Sequence, residues 1–166
     1  MNNSLLNSVL TICRTLEKYD IRYIIVGGTA VALNGYYRRS CNRAGELTDK
    51  PDIDVWFNPT YDNYFKILKT IEELGHDVTD LKNEKSPDPR KSFLRLDFDN
   101  FTLDFLPEIR ANIRFNEAYR RKETIKIRNT EIHYMSYSDI VNDKEATARK
   151  KDKEDIKQLK KIKGDE

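Results

Sequence analysis

Two aspartates, Asp52 and Asp54, stand one residue apart in the apolar segment DIDVWF. Side chains alternate between the two faces of a strand, so both carboxylates project from one face while the neighbouring apolar side chains project from the other. Like charges this close repel each other, and partial burial raises carboxyl pKa values unless a cation compensates them. A divalent metal ion or a basic side chain would supply that compensation. The alternative is a pair of solvent-facing residues on an edge strand.

A third carboxylate, Asp104, lies between Leu103 and Phe105 in the apolar run FTLDFL. Magnesium prefers hard oxygen ligands and is often held by one or two carboxylates together with substrate phosphates. Carboxylates from two neighbouring strands could therefore hold two metal ions for phosphoryl or nucleotidyl transfer. Asp97 and Asp99 form a competing pair, but they lie beside a predicted turn, where aspartate is common for structural reasons.

A glycine pair follows the short apolar run RYIIV and precedes the helix-forming segment TAVALNGYY. Gly27 and Gly28 lack Cβ atoms, so the backbone there can approach an anion closely, and the following helix adds its positive end. Thr29 could cap that helix or bind a phosphate through its hydroxyl group. The pattern is neither a P-loop nor G-x-G-x-x-G, and by itself it indicates only a tight turn.

Hydrophobic spacing predicts the elements that position these residues. Apolar residues recur at three- and four-residue steps from Leu5 to Tyr19 and again in YDNYFKILKTIEELG, which predicts two amphipathic helices, the second ending at Gly75. Alternating runs predict two hairpins, one from FLRLDF and FTLDFL and one from TIKIRN and EIHYMS. The polar segment SCNRAGELTDKP predicts a loop.

The C-terminal part of the sequence predicts two further helices. The first begins near Ser136 or Ser138, and the second begins near Asp152, whose side chain would cap it with Asp155 three residues on. The inner stripe of the second helix would consist of Ile156, Leu159 and Ile162. The elements together predict an α+β fold, a mixed β-sheet flanked by helices, in a single domain over residues 1–166 that includes the C-terminal helices at about 138–162.

Composition restricts the class of protein. Charged residues make up 35% of the 166 residues, but the formal net charge is only +2, which disfavours a protein that coats nucleic acid and leaves room for a local basic groove. No secretory leader pattern occurs, no apolar run approaches the roughly 20 residues of a membrane span, and Cys13 and Cys41 lack metal-type spacing. We therefore expect a cytoplasmic protein without a membrane partner.

As a set, Gly27-Gly28 after one strand, Asp52-x-Asp54 on the next and Asp104 on a third resemble the signature of the polymerase-β-type nucleotidyltransferase superfamily. The segments YIIVGGTAVALNGYYR, DIDVWF, TLDFL and ARKKDKEDIKQL are similar to those of its small stand-alone bacterial members. These include aminoglycoside and lincosamide nucleotidyltransferases and nucleotidyltransferase toxins of the abortive-infection type. The resemblance covers nearly the whole chain.

The resemblance implies a nucleotidyltransferase fold and an enzyme that moves a nucleoside monophosphate from a nucleoside triphosphate, such as ATP, to an acceptor hydroxyl with loss of pyrophosphate. Two magnesium ions would be bound by Asp52, Asp54 and Asp104, and Asp104 could help to deprotonate the attacking hydroxyl. Gly27 and Gly28 would hold the triphosphate. The acceptor stays open among a small molecule such as an antibiotic, an RNA 3′ end and a protein side chain. The net charge disfavours a large nucleic acid, and a toxin would have a cognate antitoxin as its partner.

The sequence departs from this family where RRSCNRAGELTDK separates the glycine-pair helix from the Asp-x-Asp strand. The arginine expected to contact phosphate is Arg38, Arg39 or Arg43, a choice that the sequence leaves open, and the alternative for all three is a solvated loop. In relatives a Lys and an Arg of the final helical region face the nucleotide or the acceptor. This makes Lys144 and Arg149 candidates for nucleotide binding, with an exposed helix carrying i,i+4 charge pairs as the alternative.

Three further polar residues need an interpretation. Glu108 lies just beyond the Asp104 strand and is a candidate general base. His76 and His133 have no partner pattern and are expected to be structural or surface residues.

The alternative to an enzyme is a non-catalytic nucleotide-binding or protein-interaction module that retains the fold. Clustered carboxylates beside a phosphate site argue against that alternative, because they repel the phosphate unless a metal ion is present.

Overall fold

Helices and strands alternate around one large sheet. The computed structural model describes residues 3–38, 40–41, 47–48 and 50–164. In chain order the elements of this part are α1 (Asn3–Lys18), β1 (Tyr23–Val26), α2 (Gly27–Leu33), β2 (Ser40–Cys41), β3 (Leu47–Thr48), β4 (Asp52–Phe57), α3 (Tyr61–Glu73), α4 (Thr79–Lys82), β5 (Leu94–Asp97), β6 (Thr102–Leu106), α5 (Phe115–Arg121), β7 (Glu123–Ile127), β8 (Thr130–Tyr134), α6 (Tyr137–Thr147) and α7 (Lys150–Lys163).

Six strands form a mixed sheet in the order β5-β6-β4-β1-β8-β7. The strand β4 pairs with β1 in antiparallel and with β6 in parallel orientation, so it has neighbours on both sides. The alternative that placed the aspartate pair on an edge strand is therefore wrong. Both predicted hairpins are confirmed, as β5 with β6 and β7 with β8. The predicted α+β class, with helices flanking a mixed sheet, is also confirmed.

Alternation along β4 separates a polar row from the core. Ile53, Val55 and Phe57 are fully buried, and so are Leu103 and Phe105 on the neighbouring strand β6. Burying each of these side chains contributes roughly 1.5–3 kcal/mol, so the core fixes which face of the sheet each strand presents. The positions between them carry Asp54 and Asp104 and, further along β4, the buried Trp56, and these side chains therefore lie on the opposite face.

Both predicted amphipathic helices are confirmed, as α1 and α3. Val9, Ile12 and Leu16 line the buried side of α1. Beyond the end of α3, Gly75 has a φ of +93°, which glycine adopts without steric strain. No helix in the described ranges has both the length and the apolar character needed to cross a bilayer.

Four elements differ from the sequence predictions. The segment expected to be a loop contains two short paired strands, β2 and β3. Hydrophobic spacing does not predict α4 and α5, because helices of four and seven residues are too short to show a period.

The two C-terminal helices are present, with one difference at their boundaries. The Ser136 side chain accepts a hydrogen bond from the backbone N–H of Asp139, so α6 begins at the predicted serine. Helix α7 begins at Lys150 rather than near Asp152, and Arg149 is its N-cap residue. Asp152 is the third residue of the helix and accepts a hydrogen bond from the Arg149 backbone N–H. The predicted capping position of Asp152 is therefore wrong.

The inner face of α7 is more polar than predicted. Leu159 is fully buried and Ile156 is half-buried, but Ile162 is half exposed, so the predicted apolar stripe is wrong at that position. Asp152 and Asp155 are fully buried instead. Buried carboxylates require cationic or hydrogen-bonding partners, and these partners connect α7 to the candidate site.

Candidate active site

The register of β4, β5 and β6 brings the three predicted carboxylates together. Asp54 lies opposite Asp104 in the parallel pair of β4 and β6, and Asp52 lies opposite Thr102. Arg95 of β5 lies opposite Asp104 on the other side of β6. Residues opposite each other in adjacent strands point to the same face of the sheet, so these side chains share one face. We call Asp52, Asp54 and Asp104 the acidic triad.

The acidic triad is partly shielded from solvent. Asp104 is buried, Asp54 is half-buried and Asp52 is exposed. Burial, together with the carboxylates of Asp104 and Asp52, raises the pKa of Asp54 to about 6. Burial also raises the pKa of Asp104 above its ordinary value, against the influence of a nearby arginine. The mutual repulsion inferred from the sequence therefore acts most strongly on the middle carboxylate of the triad.

Arg95 contacts two members of the acidic triad. Its guanidinium Nε lies 3.2 Å from Asp104 Oδ1, and a terminal guanidinium nitrogen donates to Asp52 Oδ1 over 3.4 Å. Asp52 Oδ1 also accepts a hydrogen bond from the Thr102 hydroxyl group. Asp104 Oδ1 is buried without a hydrogen bond, because the Arg95 contact is not aligned as one. Arg95 is exposed, so solvent screens its charge and the triad is incompletely neutralised.

Gly27 lies against the acidic triad. Its neighbour Val26 is the register partner of Asp54, and Gly27 itself has a φ of +63°. A Cβ atom at this position would overlap the Asp54 Oδ2 atom. At Gly28 a Cβ atom would meet no heavy atom within 4 Å. The Asp54 carboxylate thus requires a glycine at position 27 and not at position 28. The close approach of this backbone to a phosphate stays a prediction.

A cavity of about 180 Å³, which we call the triad cavity, joins the carboxylates to several cations. It is lined by Gly27, Gly28, Arg38, Asp52, Asp54, Arg95, Asp104, Lys144, Arg149 and Lys151. All predicted metal-binding residues are among these, together with the predicted nucleotide-binding glycines, Lys144 and Arg149. The predicted Arg39, and Arg43, lie outside the described residues.

The sequence left two roles open for Thr29, capping α2 or binding a phosphate. Its buried hydroxyl donates a hydrogen bond to the backbone carbonyl of Asp52, 3.5 Å away. The N-cap of α2 is Val26 and no side chain caps that end, so the capping role is wrong, and phosphate binding by Thr29 stays a prediction. Thr29 instead links α2 to the strand that carries the Asp-x-Asp pair.

Lys144 and Arg149 belong to an ionic cluster around two buried aspartates. The Lys144 ammonium group lies 3.1 Å from Asp152 Oδ1 and 2.7 Å from Asp155 Oδ2. Arg38 donates to both Asp155 oxygens, over 2.6 and 3.1 Å, and Arg149 donates to both Asp152 oxygens, over 2.7 and 3.2 Å. We call these five residues the α7 ionic cluster. The alternative of an exposed helix with i,i+4 pairs is wrong for Lys144 and for both aspartates, because all three are buried.

The α7 ionic cluster fixes cations beside the triad. Although burial opposes the ionisation of Asp152, hydrogen bonds from Arg149 and Lys144 hold its pKa below the ordinary value. Three cationic side chains face two carboxylates, which leaves one positive charge in excess at the edge of the triad cavity. The cluster therefore contributes positive charge at a fixed place in the cavity.

The other predicted residues are also located by the structure. Asp97 is the last residue of β5, is exposed and forms an ion pair with Lys50 over 2.5 Å, and Asp99 lies in the bend after β5. Neither residue lines the triad cavity. The His76 ring packs edge-on against Phe98. The His133 ring packs against Tyr23, and its Nδ1 lies 2.9 Å from the Thr124 hydroxyl oxygen. Glu108 is exposed and lines a second cavity that also contains Gly27 and Asp54.

Two features of the site are absent from the sequence predictions. The first is the contact of Arg95 with the triad. Arg95 and Asp97 lie two residues apart in FLRLDF, but the sequence does not show in which register this strand pairs with β6. The second is the burial of Asp152 and Asp155, which lie three residues apart on one helix. The surrounding lysines indicate an exposed helix instead, because a lysine-rich helix normally exposes its charges.

The oxygen atoms of the triad suit a hard divalent cation in their chemistry. All three groups are carboxylates, Asp104 Oδ1 is buried without a hydrogen bond, and the pKa of Asp54 is raised by burial and neighbouring negative charge. As the side chains stand in the described ranges, no three carboxylate, imidazole or thiol groups are arranged so that they could hold a metal ion. In this arrangement the Asp52 carboxylate contacts Thr102 and Arg95.

Comparisons with known proteins support the fold. No protein-family model and no curated protein matches this sequence. Among solved structures, the chain is similar to the crystal structure of an antigenic nucleotidyltransferase-like protein from Paracoccidioides brasiliensis, with a TM-score of 0.52 and 14% sequence identity. The similarity covers 98% of this chain and 77% of the other. At this identity it shows the fold, and the predicted nucleotidyltransferase-like fold is confirmed.

We expect Gly27→Ala to lower the free energy of unfolding by about 2 kcal/mol, because a left-handed backbone costs a non-glycine residue about 1–2 kcal/mol and the methyl group would also displace the Asp54 carboxylate. Gly28→Ala is the matched control, and we expect it to be neutral or stabilising by up to about 1 kcal/mol. Urea unfolding measures both. Equal effects of the two substitutions would contradict the proposed close approach.

The raised pKa of Asp54 predicts a pH-dependent effect of Asp54→Asn in the presence of EDTA. Between the unfolded value near 3.8 and the folded value of about 6, the folded state binds more protons at this site, so wild-type stability falls as the pH rises through this window. We expect Asp54→Asn to exceed the wild type by about 2 kcal/mol at pH 8 and to match it at pH 4, as measured by urea unfolding.

Asp97→Asn is the control for this experiment. A hydrogen bond from Lys50 lowers the pKa of Asp97, so that substitution has no destabilised charge to remove and should give no gain at pH 8. A gain for Asp54→Asn that is the same at both pH values would contradict the assigned repulsion.

The α7 ionic cluster predicts a large cost for Lys144→Met. This substitution leaves two buried carboxylates with one arginine each, and removing one partner of a buried ion pair costs about 3 kcal/mol or more. Lys157→Met, at an exposed position of the same helix, should change the free energy of unfolding by less than about 0.5 kcal/mol. Urea unfolding compares the two variants, and a negligible effect at Lys144 would show that the cluster is not formed.

Proposed function

We propose that this protein is a magnesium-dependent nucleotidyltransferase, which transfers a nucleoside monophosphate from a nucleoside triphosphate to an acceptor hydroxyl and releases pyrophosphate. The observation that carries the proposal is the acidic triad, held against the backbone of Gly27 in a cavity whose other residues include cations. The nucleotidyltransferase-like fold agrees with it.

The incomplete neutralisation of the triad supports a site for divalent cations. Asp52, Asp54 and Asp104 are the residues that would hold two magnesium ions. When bound, such ions neutralise triphosphate charge and favour ionisation of the attacking hydroxyl. Arg95 provides positive charge at the triad in the conformation described, so the Asp52 carboxylate would turn away from Arg95 and Thr102 to act as a ligand.

The cations of the triad cavity support binding of a polyanion next to the carboxylates. Arg38, Lys144 and Arg149 are held in place by the buried carboxylates of α7, so little side-chain freedom is lost when a phosphate binds to them. Lys151 is exposed at the same cavity. At Gly28 the space beside the Cα atom is open, because a Cβ atom there would meet no heavy atom within 4 Å outside its own helix backbone and chain neighbours.

In the proposed reaction, the acceptor hydroxyl oxygen forms a bond to the α-phosphorus of the triphosphate. The bond from that phosphorus to the oxygen bridging the α- and β-phosphates breaks, and pyrophosphate leaves. The hydroxyl proton passes to a base, for which Asp104 is our assignment, because it is a carboxylate of the triad with one oxygen atom that accepts no hydrogen bond. Glu108 is the alternative base.

A second candidate function is a non-catalytic nucleotide-binding module. Arg95 favours it, because an arginine that bridges Asp52 and Asp104 satisfies part of the triad without any metal ion. The two functions differ in one measurable property. A module of this kind would bind a nucleoside triphosphate equally well with and without magnesium.

Thermal shift measurements with ATP, GTP, CTP and UTP test the proposed function. We expect at least one triphosphate to raise the melting temperature in the presence of magnesium, and not in EDTA, because the triad repels the phosphates without the metal ion. Asp52→Ala should abolish the shift, while Asp97→Asn should retain it. A shift that is independent of magnesium and of Asp52 would favour the non-catalytic module.

Transfer itself is tested with triphosphates labelled at either the α- or the γ-phosphate. The reaction predicts that the α-label enters the acceptor and the γ-label leaves in pyrophosphate. Asp104→Asn should reduce transfer by about 100-fold or more. Asp97→Asn and Glu108→Gln should each leave it within about threefold, and a large loss in Glu108→Gln would assign the base to Glu108 instead. Transfer of the γ-label would identify a kinase and contradict the proposal.

A further inference from the structure

A second and larger cavity opens beside the triad cavity. Its volume is about 570 Å³, and it shares Gly27, Asp54 and Arg149 with the triad cavity. A molecule in this cavity therefore lies next to the middle carboxylate of the triad. If the proposed function is correct, this is where the acceptor binds, and we call it the acceptor cavity.

The wall of the acceptor cavity is rich in available cations. Arg90, Lys91 and Arg110 line it in addition to Arg149. The side chains of Arg90 and Lys91 are 82% and 85% exposed, and their nearest contacts to Asp88 are long, at 3.9 and 3.6 Å. Such loose contacts are readily replaced by contacts with a ligand.

The acidic residues of the same cavity are fewer and partly occupied. Apart from the triad residue Asp54, they are Glu108 and Asp143. Asp143 Oδ1 accepts hydrogen bonds from the backbone N–H groups of Arg110 and Ala111, over 2.9 and 3.0 Å. Four basic side chains therefore line the cavity against three acidic ones, an excess of one positive charge, which favours an anionic ligand over a polycationic one.

An aromatic ring stands among these cations. Phe93 lines the acceptor cavity and is 51% exposed, although an apolar ring of this size gains from burial. A ring next to basic side chains is the combination that binds single-stranded nucleic acids, in which bases stack on the ring and phosphates contact the cations. The cavity thus suits a nucleotide unit better than a simple anion.

Helix α7 continues this basic character away from the cavity. Its seven lysines are all exposed, whereas Glu154 is its single exposed acidic residue, since Asp152 and Asp155 are buried in the α7 ionic cluster. Four of the lysines recur at three- and four-residue steps and so lie along one side of the helix: Lys150, Lys153, Lys157 and Lys160. We call them the lysine row. It begins one residue after Arg149, which lines both cavities.

We infer that the acceptor cavity and the lysine row bind a single-stranded nucleic acid and present its terminal hydroxyl to the acidic triad. A base stacks on Phe93, and phosphates contact Arg90, Lys91 and the lysine row. The inference deepens the proposed function by naming its acceptor. The net charge of +2 disfavoured such an acceptor, but that count includes Asp152 and Asp155, which folding buries.

Binding is tested without triphosphate and in EDTA, so that the result does not depend on catalysis. Fluorescence anisotropy with short labelled RNA and DNA single strands should show binding that weakens with salt, with a log–log slope of about −0.7 for each phosphate contact. A duplex of the same length should bind more weakly, because its bases are not available to stack on Phe93. Equal affinity for duplex and single strand would overturn the inference.

The contribution of the lysine row is measured with the triple variant Lys153→Glu/Lys157→Glu/Lys160→Glu. We expect at least a tenfold loss of affinity and a shallower salt slope, by about 2 for three lost phosphate contacts. The matched control, Lys69→Glu/Lys85→Glu/Lys126→Glu, changes the net charge equally at exposed lysines that line neither cavity. Equal losses in the two triple variants would mean that only the overall charge matters, which would overturn the inference.

Phe93→Ala keeps the test decisive if the triple variant fails to fold. Loss of one stacked base should weaken single-strand binding by about tenfold. Phe65→Ala is the control, because Phe65 is 45% exposed on α3 and lines neither cavity. Unchanged affinity in Phe93→Ala would overturn the assigned stacking site.

Failure of the inference is distinguishable from failure of the proposed function. Transfer of the α-label to a small hydroxyl compound or to a protein, without single-strand binding, would overturn the inference and leave the nucleotidyltransferase standing. Single-strand binding that responds to both variants, without transfer to the strand, would support the binding surface and overturn the reaction.

Discussion

The parallel pairing of β4 with β6 is the constraint on which the chemistry of this protein depends. The register places Asp54 beside Asp104 and Asp52 one pair further along, so three carboxylates share one face of the sheet. A slip of one residue would turn them into the core and bring apolar side chains to the cavity, so the core that stabilises the sheet also enforces the acidic cluster. The cost is the raised pKa of Asp54, and Arg95 offsets only part of it.

Positive charge near the triad comes from two sources that differ in mobility. Arg95 is exposed and contacts the carboxylates directly, so a competing cation can displace it. Lys144, by contrast, is buried and held by Asp152 and Asp155. Helix α7 therefore carries its two carboxylates of the ionic cluster on its buried side and its lysines on its exposed side. The carboxylates hold the cations of the triad cavity in place, and the lysines form a basic surface. A metal ion, a triphosphate and an anionic acceptor would each meet charge of the opposite sign.

Local patterns predict much of the site, because alternation in a strand is a local property. It places Asp52 and Asp54 on one face, and the isolated Asp104 in an apolar run indicates the third member. The role of Arg95 depends on the register between β5 and β6, which no local pattern encodes. The sequence does not predict the α7 ionic cluster for another reason. Charged residues are rarely buried, so an aspartate such as Asp152 next to several lysines indicates the cap of an exposed helix. Net charge likewise does not record which charges folding buries, such as those of Asp152 and Asp155.

The most direct test of the central claim is anomalous X-ray diffraction from crystals grown with manganese, as a substitute for magnesium, and a triphosphate analogue that cannot be cleaved between its α- and β-phosphates. We predict anomalous density in contact with the carboxylates of Asp52, Asp54 and Asp104, with Arg95 displaced from Asp52 and the phosphates directed toward Lys144 and Arg149. Density elsewhere, or a bound analogue with Arg95 still bridging Asp52 and Asp104, would contradict the claim that the triad is a metal-dependent nucleotide site.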